Sequence, residues 1–247
     1  MNEHERISAT GYVLIKNVIP KESCQSLVNA CETAFDHDND SERARSSRGH
    51  VYAARNVLDV VPMVHSVWQT GKLDRVLTLV LGNHYGLVRV LFFDKPPDRT
   101  WSLPWHKDTA IAVQDNTLPS TEFSRPTVKA GVPHVVASDR VLQRMLTMRL
   151  HLDDVTDENG PLRVVPGSHV SGTSDGVGAD HAVTVHAQAG DVLAMRPLIS
   201  HCSGASSETT TRHRRILHLE FAADPILSDG FQWHTFIRPF SDIPHND

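Results

Sequence analysis

The segment Arg214-Arg215-Ile216-Leu217-His218-Leu219-Glu220-Phe221 alternates in character. Arg215, Leu217, Leu219 and Phe221 fall on one side, and Arg214, Ile216, His218 and Glu220 on the other. A period of two is that of a strand with one buried face. The stretch 145–152 repeats it, setting Met148, Leu150 and Leu152 against Thr147, Arg149 and His151. Further short strands are predicted at 87–94, 104–113, 162–166, 182–187, 191–195 and 198–202, separated by Gly, Pro and Asp turn signals. The N-terminal third reads differently. Gly11–Val18 is a short strand, and Pro20-Lys21-Glu22-Ser23 opens a helix with Cys24, Leu27, Val28, Cys31 and Phe35 at helical spacing. Residues 36–50, charged and Ser-rich, read as a loop. Residues 60–81 read as helical, with a Leu73, Val76, Leu77, Val80 stripe stopped by Gly82-Asn83.

These elements predict a mainly β fold with flanking α-helices, a double-sheet jelly roll or related barrel. The expected layout is a single domain over 1–247, with a helical flank at about 1–85 and a β core at about 87–222. Residues 114–144, with Pro119, Pro126, Gly131 and Pro133, read as a long loop insertion of the lid or binding type.

Composition narrows the function classes. The net charge is −5 with no basic run, which argues against a nucleic-acid partner. No apolar stretch approaches the ~20 residues that span a bilayer, so no membrane role is expected. Cys24, Cys31 and Cys202 are odd in number and form no Cys-x-x-Cys, which fits a reducing compartment. The N-terminus is polar with no apolar signal core, so a cytoplasmic protein is expected. Nothing in the sequence reports the oligomeric state.

The candidate chemistry lies in Trp105-His106-Lys107-Asp108 and His201-Cys202-Ser203-Gly204. In an extended strand His106 and Asp108 point to one face. With His201 they make two imidazoles and one carboxylate, the facial ligand set of non-haem iron(II) oxygenases. Such pairs also arise by chance: His151/Asp153 and His245/Asp247 have the same spacing, and His218/Glu220 is of the same chemical kind. His245/Asp247 lies at the C-terminus, where chains fray. His151/Asp153 and His218/Glu220 lie on half-buried strands whose polar faces can line a site without holding a metal. Arg214, on the polar face of its strand, can pair bidentately with a carboxylate beside the metal, and Arg212 shares its parity. Arg55, Asn56, Thr147, Arg149 and His151 are candidate pocket linings, and His169 reads as a turn residue. Arg125, Lys129 and His134, in the 114–144 segment, read as solvated positions able to meet an anionic substrate.

Several pieces, in order along residues 5–222, resemble the phytanoyl-CoA dioxygenase family of Fe(II)/2-oxoglutarate oxygenases. They are Phe93-Asp94-Lys95-Pro96-Pro97-Asp98, Pro104-Trp105-His106-Lys107-Asp108, Glu158-Asn159-Gly160-Pro161-Leu162, Pro166-Gly167-Ser168-His169, Gly190-Asp191-Val192-Leu193, His201-Cys202-Ser203-Gly204 and Arg214-Arg215. The resemblance implies a cupin-like double-stranded β-helix, iron held by His106, Asp108 and His201, and 2-oxoglutarate held by an arginine with Ser203 nearby and Leu91 lining its pocket. The family spacing from the second histidine points to Arg212, whereas the Arg-Arg-aliphatic strand pattern points to Arg214, which strand register favours. Asp108 stands where halogenating relatives carry a small residue, so hydroxylation of a small-molecule substrate with O2, releasing succinate and CO2, is implied. Two rivals remain: a cupin-like protein that binds a metal or small molecule without turnover, and a metal-dependent hydrolase or isomerase, which needs no co-substrate arginine.

Overall fold

A computed structural model of the chain describes residues 1–37, 43–47, 50–97, 100–170 and 176–240. The elements run α1 (Glu3–Thr10), β1 (Tyr12–Ile15), α2 (Lys21–His37), β2 (Ala44–Ser47), β3 (His50–Ala54), α3 (Gly71–Leu81), β4 (Gly86–Lys95), β5 (Leu103–His106) and β6 (Ala110–Ala112). They continue with β7 (Phe123–Lys129), β8 (Val132–Ala137), α4 (Asp139–Leu142), β9 (Met145–His151), β10 (Leu162–Val164), β11 (Val183–Val185), β12 (Val192–Met195), β13 (His201–Ser203) and β14 (Arg214–Ala222).

The strands form a large sheet in the order β1-β12-β9-β14-β4-β3-β2 and a small sheet in the order β11-β10-β13-β5. All their pairings are antiparallel. This is the double-sheet jelly roll expected from the alternating segments, and the double-stranded β-helix that the resemblance implied. The two faces of the large sheet explain its binary pattern. Met148, Leu150, Leu217, Leu219 and Phe221 face outward and share one core with Ile7, Leu27, Cys31, Leu73 and Leu77 of the flanking helices. Cys24 and Cys31 are buried there as small hydrophobes. Arg149, Arg214, His218 and Glu220 face inward across a cavity to His106, His201 and Ser203 of the small sheet. A helix layer therefore satisfies the apolar parity and leaves the polar parity to line the interior.

The helical ends follow their local chemistry. Asn2 and Glu5 close a capping box on α1, which was not expected from the apolar pattern. Thr70 caps α3, and Gly82, with φ +84°, ends it. The helical stretch expected over 60–81 is broken: residues 57–59 and 62–65 form short 3-10 turns, and the α-helix starts at Gly71.

Two loop expectations fail. The 36–50 segment, where described, carries β2 and the start of β3, which extend the large sheet by an edge hairpin. The 114–144 segment is no open lid. Its β7 and β8 pair through a two-residue turn, Ala130-Gly131, in which both residues have positive φ, and β8 pairs with β6 in a third sheet. Phe123, Val135, Ala137 and Leu142 pack with Phe231 and Trp233 in a second core. Pro126 sits where the β7–β8 register slips, so a residue that reads as a breaker is accommodated at a bulge. No helix among the described residues is long and apolar enough to cross a membrane.

Candidate metal and co-substrate site

His106 is the last residue of β5, and His201 the first of β13. The two stand directly opposite in the antiparallel ladder, with ring centroids 4.2 Å apart. Asp108 lies beyond the end of β5, not on the strand as the spacing suggested. Its N–H donates to the Pro197 carbonyl (2.9 Å), and this tether turns its carboxylate back towards the imidazoles. Asp108 Oδ1 is 3.8 Å from His106 Nε2, and Oδ2 is 3.6 Å from His201 Nε2. Both distances exceed hydrogen-bond length. One ligand atom from each of the three residues falls within 4.8 Å of the others.

The imidazoles are oriented by the same device. His106 Nδ1 donates to the Pro104 carbonyl (2.8 Å), and His201 Nδ1 to the Ile199 carbonyl (2.9 Å). Each bond fixes the tautomer that leaves the Nε2 lone pair facing Asp108. Burial pushes His201 down to about 4, against the pull of the Asp108 charge, so the ring is neutral near pH 7. Burial works to raise the Asp108 carboxyl, but His201, then His218 and His106, hold it at about 2. Asp108 Oδ2 is buried with no hydrogen-bond partner among the described residues. An orphaned carboxylate oxygen facing two imidazole lone pairs is a donor arrangement that a cation would satisfy. The donors are two nitrogens and an oxygen with no thiolate, a set suited to non-haem iron.

The cavity around these three residues also contains Leu91, Ser203 and Arg214. Arg214 opens β14, opposite Lys95. It is 2% exposed, and its Nε and Nη1 have no partner among the described residues. Burial, then the charge of Arg149, lowers it to about 9. Arg212 lies outside the cavity, with an exposed side chain 3.9 Å from the Glu158 carboxylate. An unpaired buried guanidinium is costly unless an anion completes it.

Five further polar residues support this floor. Lys95, fully buried, donates from Nζ to Ser203 Oγ (3.2 Å) and to the Gly204 carbonyl (2.5 Å), and lies 4.6 Å from the Trp101 ring centroid. Burial, then Arg214 and Arg149, push it down to about 6. Arg149 donates to His218 Nδ1 (3.0 Å), His218 Nε2 donates to Glu220 (3.2 Å), and Arg89 grips the same carboxylate at 2.9 and 2.5 Å. Sequence reasoning named Arg149 as a lining residue but gave Lys95 no role. Its signal was parity with Leu91 and Phe93 on β4, facing Arg214.

The rival pairs are occupied otherwise. Asp153 is bound twice by Arg215, at 2.8 and 2.7 Å, and His151 Nδ1 lies 3.3 Å from the Asp191 carbonyl. His218 and Glu220 bind each other. His245/Asp247 and Asp98 lie outside the described residues. Thr147 is buried on β9. Arg55 lines a neighbouring cavity, and Asn56 Nδ2 donates to the Ala130 carbonyl (3.0 Å). His169 sits in a turn against Gly11 and does not line the cavity of the triad.

The sequence profile of the phytanoyl-CoA dioxygenase family matches residues 7–215. No curated protein gives a significant sequence match. Among solved structures, AviO1 from Streptomyces viridochromogenes Tue57 superposes with a TM-score of 0.64 at 20% identity, covering 90% of this chain and 94% of its own. The α-ketoglutarate-dependent epimerase SnoN from nogalamycin biosynthesis gives 0.64 at 16%, covering 98% and 95%. EctD from S. alaskensis, with 2-oxoglutarate and 5-hydroxyectoine, gives 0.65 at 15%, covering 89% and 74%. These likenesses show the shared fold, and the profile match over most of the chain shows the family. This protein belongs to the phytanoyl-CoA dioxygenase family, non-haem oxygenases that use iron(II), 2-oxoglutarate and O2.

Proposed function

We propose that His106, Asp108 and His201 hold iron(II), that Arg214 binds the distal carboxylate of 2-oxoglutarate, and that the protein hydroxylates a small-molecule metabolite. The observation that carries this reading is the pair of Nε2 lone pairs facing the orphaned Asp108 oxygen, in one cavity with the unpaired Arg214 guanidinium. Bound iron(II) supplies O2 activation coupled to oxidative decarboxylation of 2-oxoglutarate.

The protein's own contribution is orientation and exclusion of water. The Pro104 and Ile199 carbonyls present the imidazoles, and the Pro197 carbonyl places Asp108. Arg214 offers a rigid fork matched to a carboxylate. Ser203, held by Lys95, offers a hydroxyl beside it. Leu91, Phe93 and Trp101 close the cavity with apolar surface, which strengthens charge pairing inside. The whole of 1–247 acts as one oxygenase domain, in the cytoplasm, with neither a nucleic-acid nor a membrane partner.

Anaerobic addition of Fe(II) and then 2-oxoglutarate tests this reading. A weak visible charge-transfer band should appear in the wild type. Bound iron without that band refutes it and favours the hydrolase or binding-protein alternatives.

A further inference from the structure

Arg214 is one of two arginines on the cavity floor with an unpartnered buried nitrogen, and the other is Arg149 of β9. Arg149 lines the cavity of the triad and is 7% exposed. Among the described residues its one hydrogen bond runs from Nη1 to His218 Nδ1 (3.0 Å), and its Nε has no partner. A guanidinium can only donate, so His218 accepts at Nδ1 and passes its Nε2 proton to Glu220 (3.2 Å). The imidazole therefore brings Arg149 no negative charge. The cavity lining holds two carboxylates. Glu220 is already gripped by Arg89. Asp108 offsets only part of what burial costs the Arg149 charge, and iron(II) at the triad would claim that carboxylate. A buried guanidinium left in this state is costly unless an anion from outside completes it.

The strand register places this second arginine at the metal end of the floor. Arg214 stands opposite Lys95, and Lys95 holds Ser203 of the small sheet (3.2 Å). Arg149 stands opposite His218, which is four residues beyond Arg214 on β14, about 13 Å of strand. On the small sheet His201 lies two residues from Ser203. The charge of Arg149 also acts on the Asp108 carboxyl from this end. We propose that Arg149 is a second anion-binding residue of the co-substrate site: its guanidinium holds the 1-carboxylate of 2-oxoglutarate beside the metal, while Arg214 holds the 5-carboxylate. This inference rests on the oxygenase reading of the triad. Arg214 selects for the length of the dicarboxylate, and Arg149 fixes its keto-acid end.

The test is anaerobic titration of the Fe(II)-loaded full chain with 2-oxoglutarate and with 2-oxopentanoate, which keeps the keto-acid end and lacks the second carboxylate. Arg149→Met should weaken both ligands by the same factor, tenfold or more, and shift the charge-transfer maximum of the 2-oxoglutarate complex. Arg214→Met should weaken 2-oxoglutarate alone and leave the maximum in place. Arg149→Lys keeps the charge without the planar fork and should recover part of the loss. Fe(II) affinity, read by equilibrium dialysis, should match wild type in both Arg149 variants, an outcome that a distorted site would not give. The inference is overturned if Arg149→Met leaves both affinities and the maximum unchanged, or if it weakens 2-oxoglutarate while sparing 2-oxopentanoate. In either case the wild-type band still supports the oxygenase reading. Absence of the band in the wild type overturns the oxygenase reading itself.

Discussion

Replacing Arg214 by Met should raise the stability of the apo-protein while weakening its hold on 2-oxoglutarate. The guanidinium is 2% exposed, and two of its nitrogens have no partner among the described residues. Burial, then the Arg149 charge, pushes it well below the ordinary arginine range, to about 9. A base whose folded value lies below its unfolded value opposes folding while charged. The penalty is complete below about pH 9 and fades as pH rises towards the ordinary arginine value. At about 1.4 kcal/mol per tenfold change in proton affinity, this bounds the cost near pH 7 at about 5 kcal/mol. Met keeps much of the packing of the aliphatic stem, and exchange of a buried charge for an apolar side chain typically stabilises by about 1–4 kcal/mol. For a chain of this length each kcal/mol moves Tm by about 2–4 °C. The co-substrate should respond in the opposite direction. Truncating one partner of a buried charge pair costs about 2–5 kcal/mol, a loss of roughly 30-fold to 5,000-fold in affinity. Scanning fluorimetry of the apo-protein and the anaerobic charge-transfer titration measure the two effects. A variant that melts below wild type and binds 2-oxoglutarate as tightly would refute the reasoning.

Other expectations follow from neighbouring groups. His106→Ala and His201→Ala each remove one of the three proposed ligand atoms, so both should abolish the charge-transfer band and weaken Fe(II) binding by 10-fold or more, read by equilibrium dialysis against a metal-blind circular dichroism spectrum. Burial pushes His134 from 6.5 down to about 4. The stability it gives by staying neutral is complete above pH 6.5 and is lost as pH falls towards 4, at about 1.4 kcal/mol per pH unit. His134→Leu should therefore flatten urea-derived stability by about one proton's slope in that window, and an unchanged slope would count against it. A Cβ at Gly190, where φ is +90°, would lie 2.0 Å from the Ile19 carbonyl oxygen. Gly190→Ala should lose about 2 kcal/mol or more, seen as a lower urea midpoint with an unchanged m-value.

What the sequence disclosed depended on how local the governing physics was. The alternation in β9 and β14 sorted outward Leu217 and Leu219 from inward Arg214 and His218, because parity is written into a strand by its period. The 114–144 hairpin escaped notice because its turn is Ala130-Gly131 and its prolines sit at tolerated positions. Its strands are held by pairing with β6 and by burial against Phe231 and Trp233, more than 90 residues further on. The β2–β3 hairpin was hidden for a similar reason. Ala44-Arg45-Ser46-Ser47 has no apolar alternation, and only the edge of the large sheet makes it a strand.

The site shows the same division between local and distant causes. His106 and Asp108 were singled out for sharing a strand face, yet β5 ends at His106, and Asp108 is turned inward by its bond to Pro197. The residue pair was legible and the geometry behind it was not, because the tether comes from a turn 89 positions away. The arginine is the converse case. Arg212 and Arg214 share parity, so periodicity could not choose between them. The ladder does: pairing with β4 begins at Arg214 opposite Lys95, and Arg212 falls beyond it, beside Glu158 in solvent. That pairing places the Arg214 guanidinium beside the buried Lys95 amine, whose proton affinity the guanidinium helps to lower, a juxtaposition no packing argument favours. The cost of the unpaired guanidinium is the physical ground for expecting a carboxylate at Arg214, and for expecting Arg214→Met to gain stability as it loses the co-substrate.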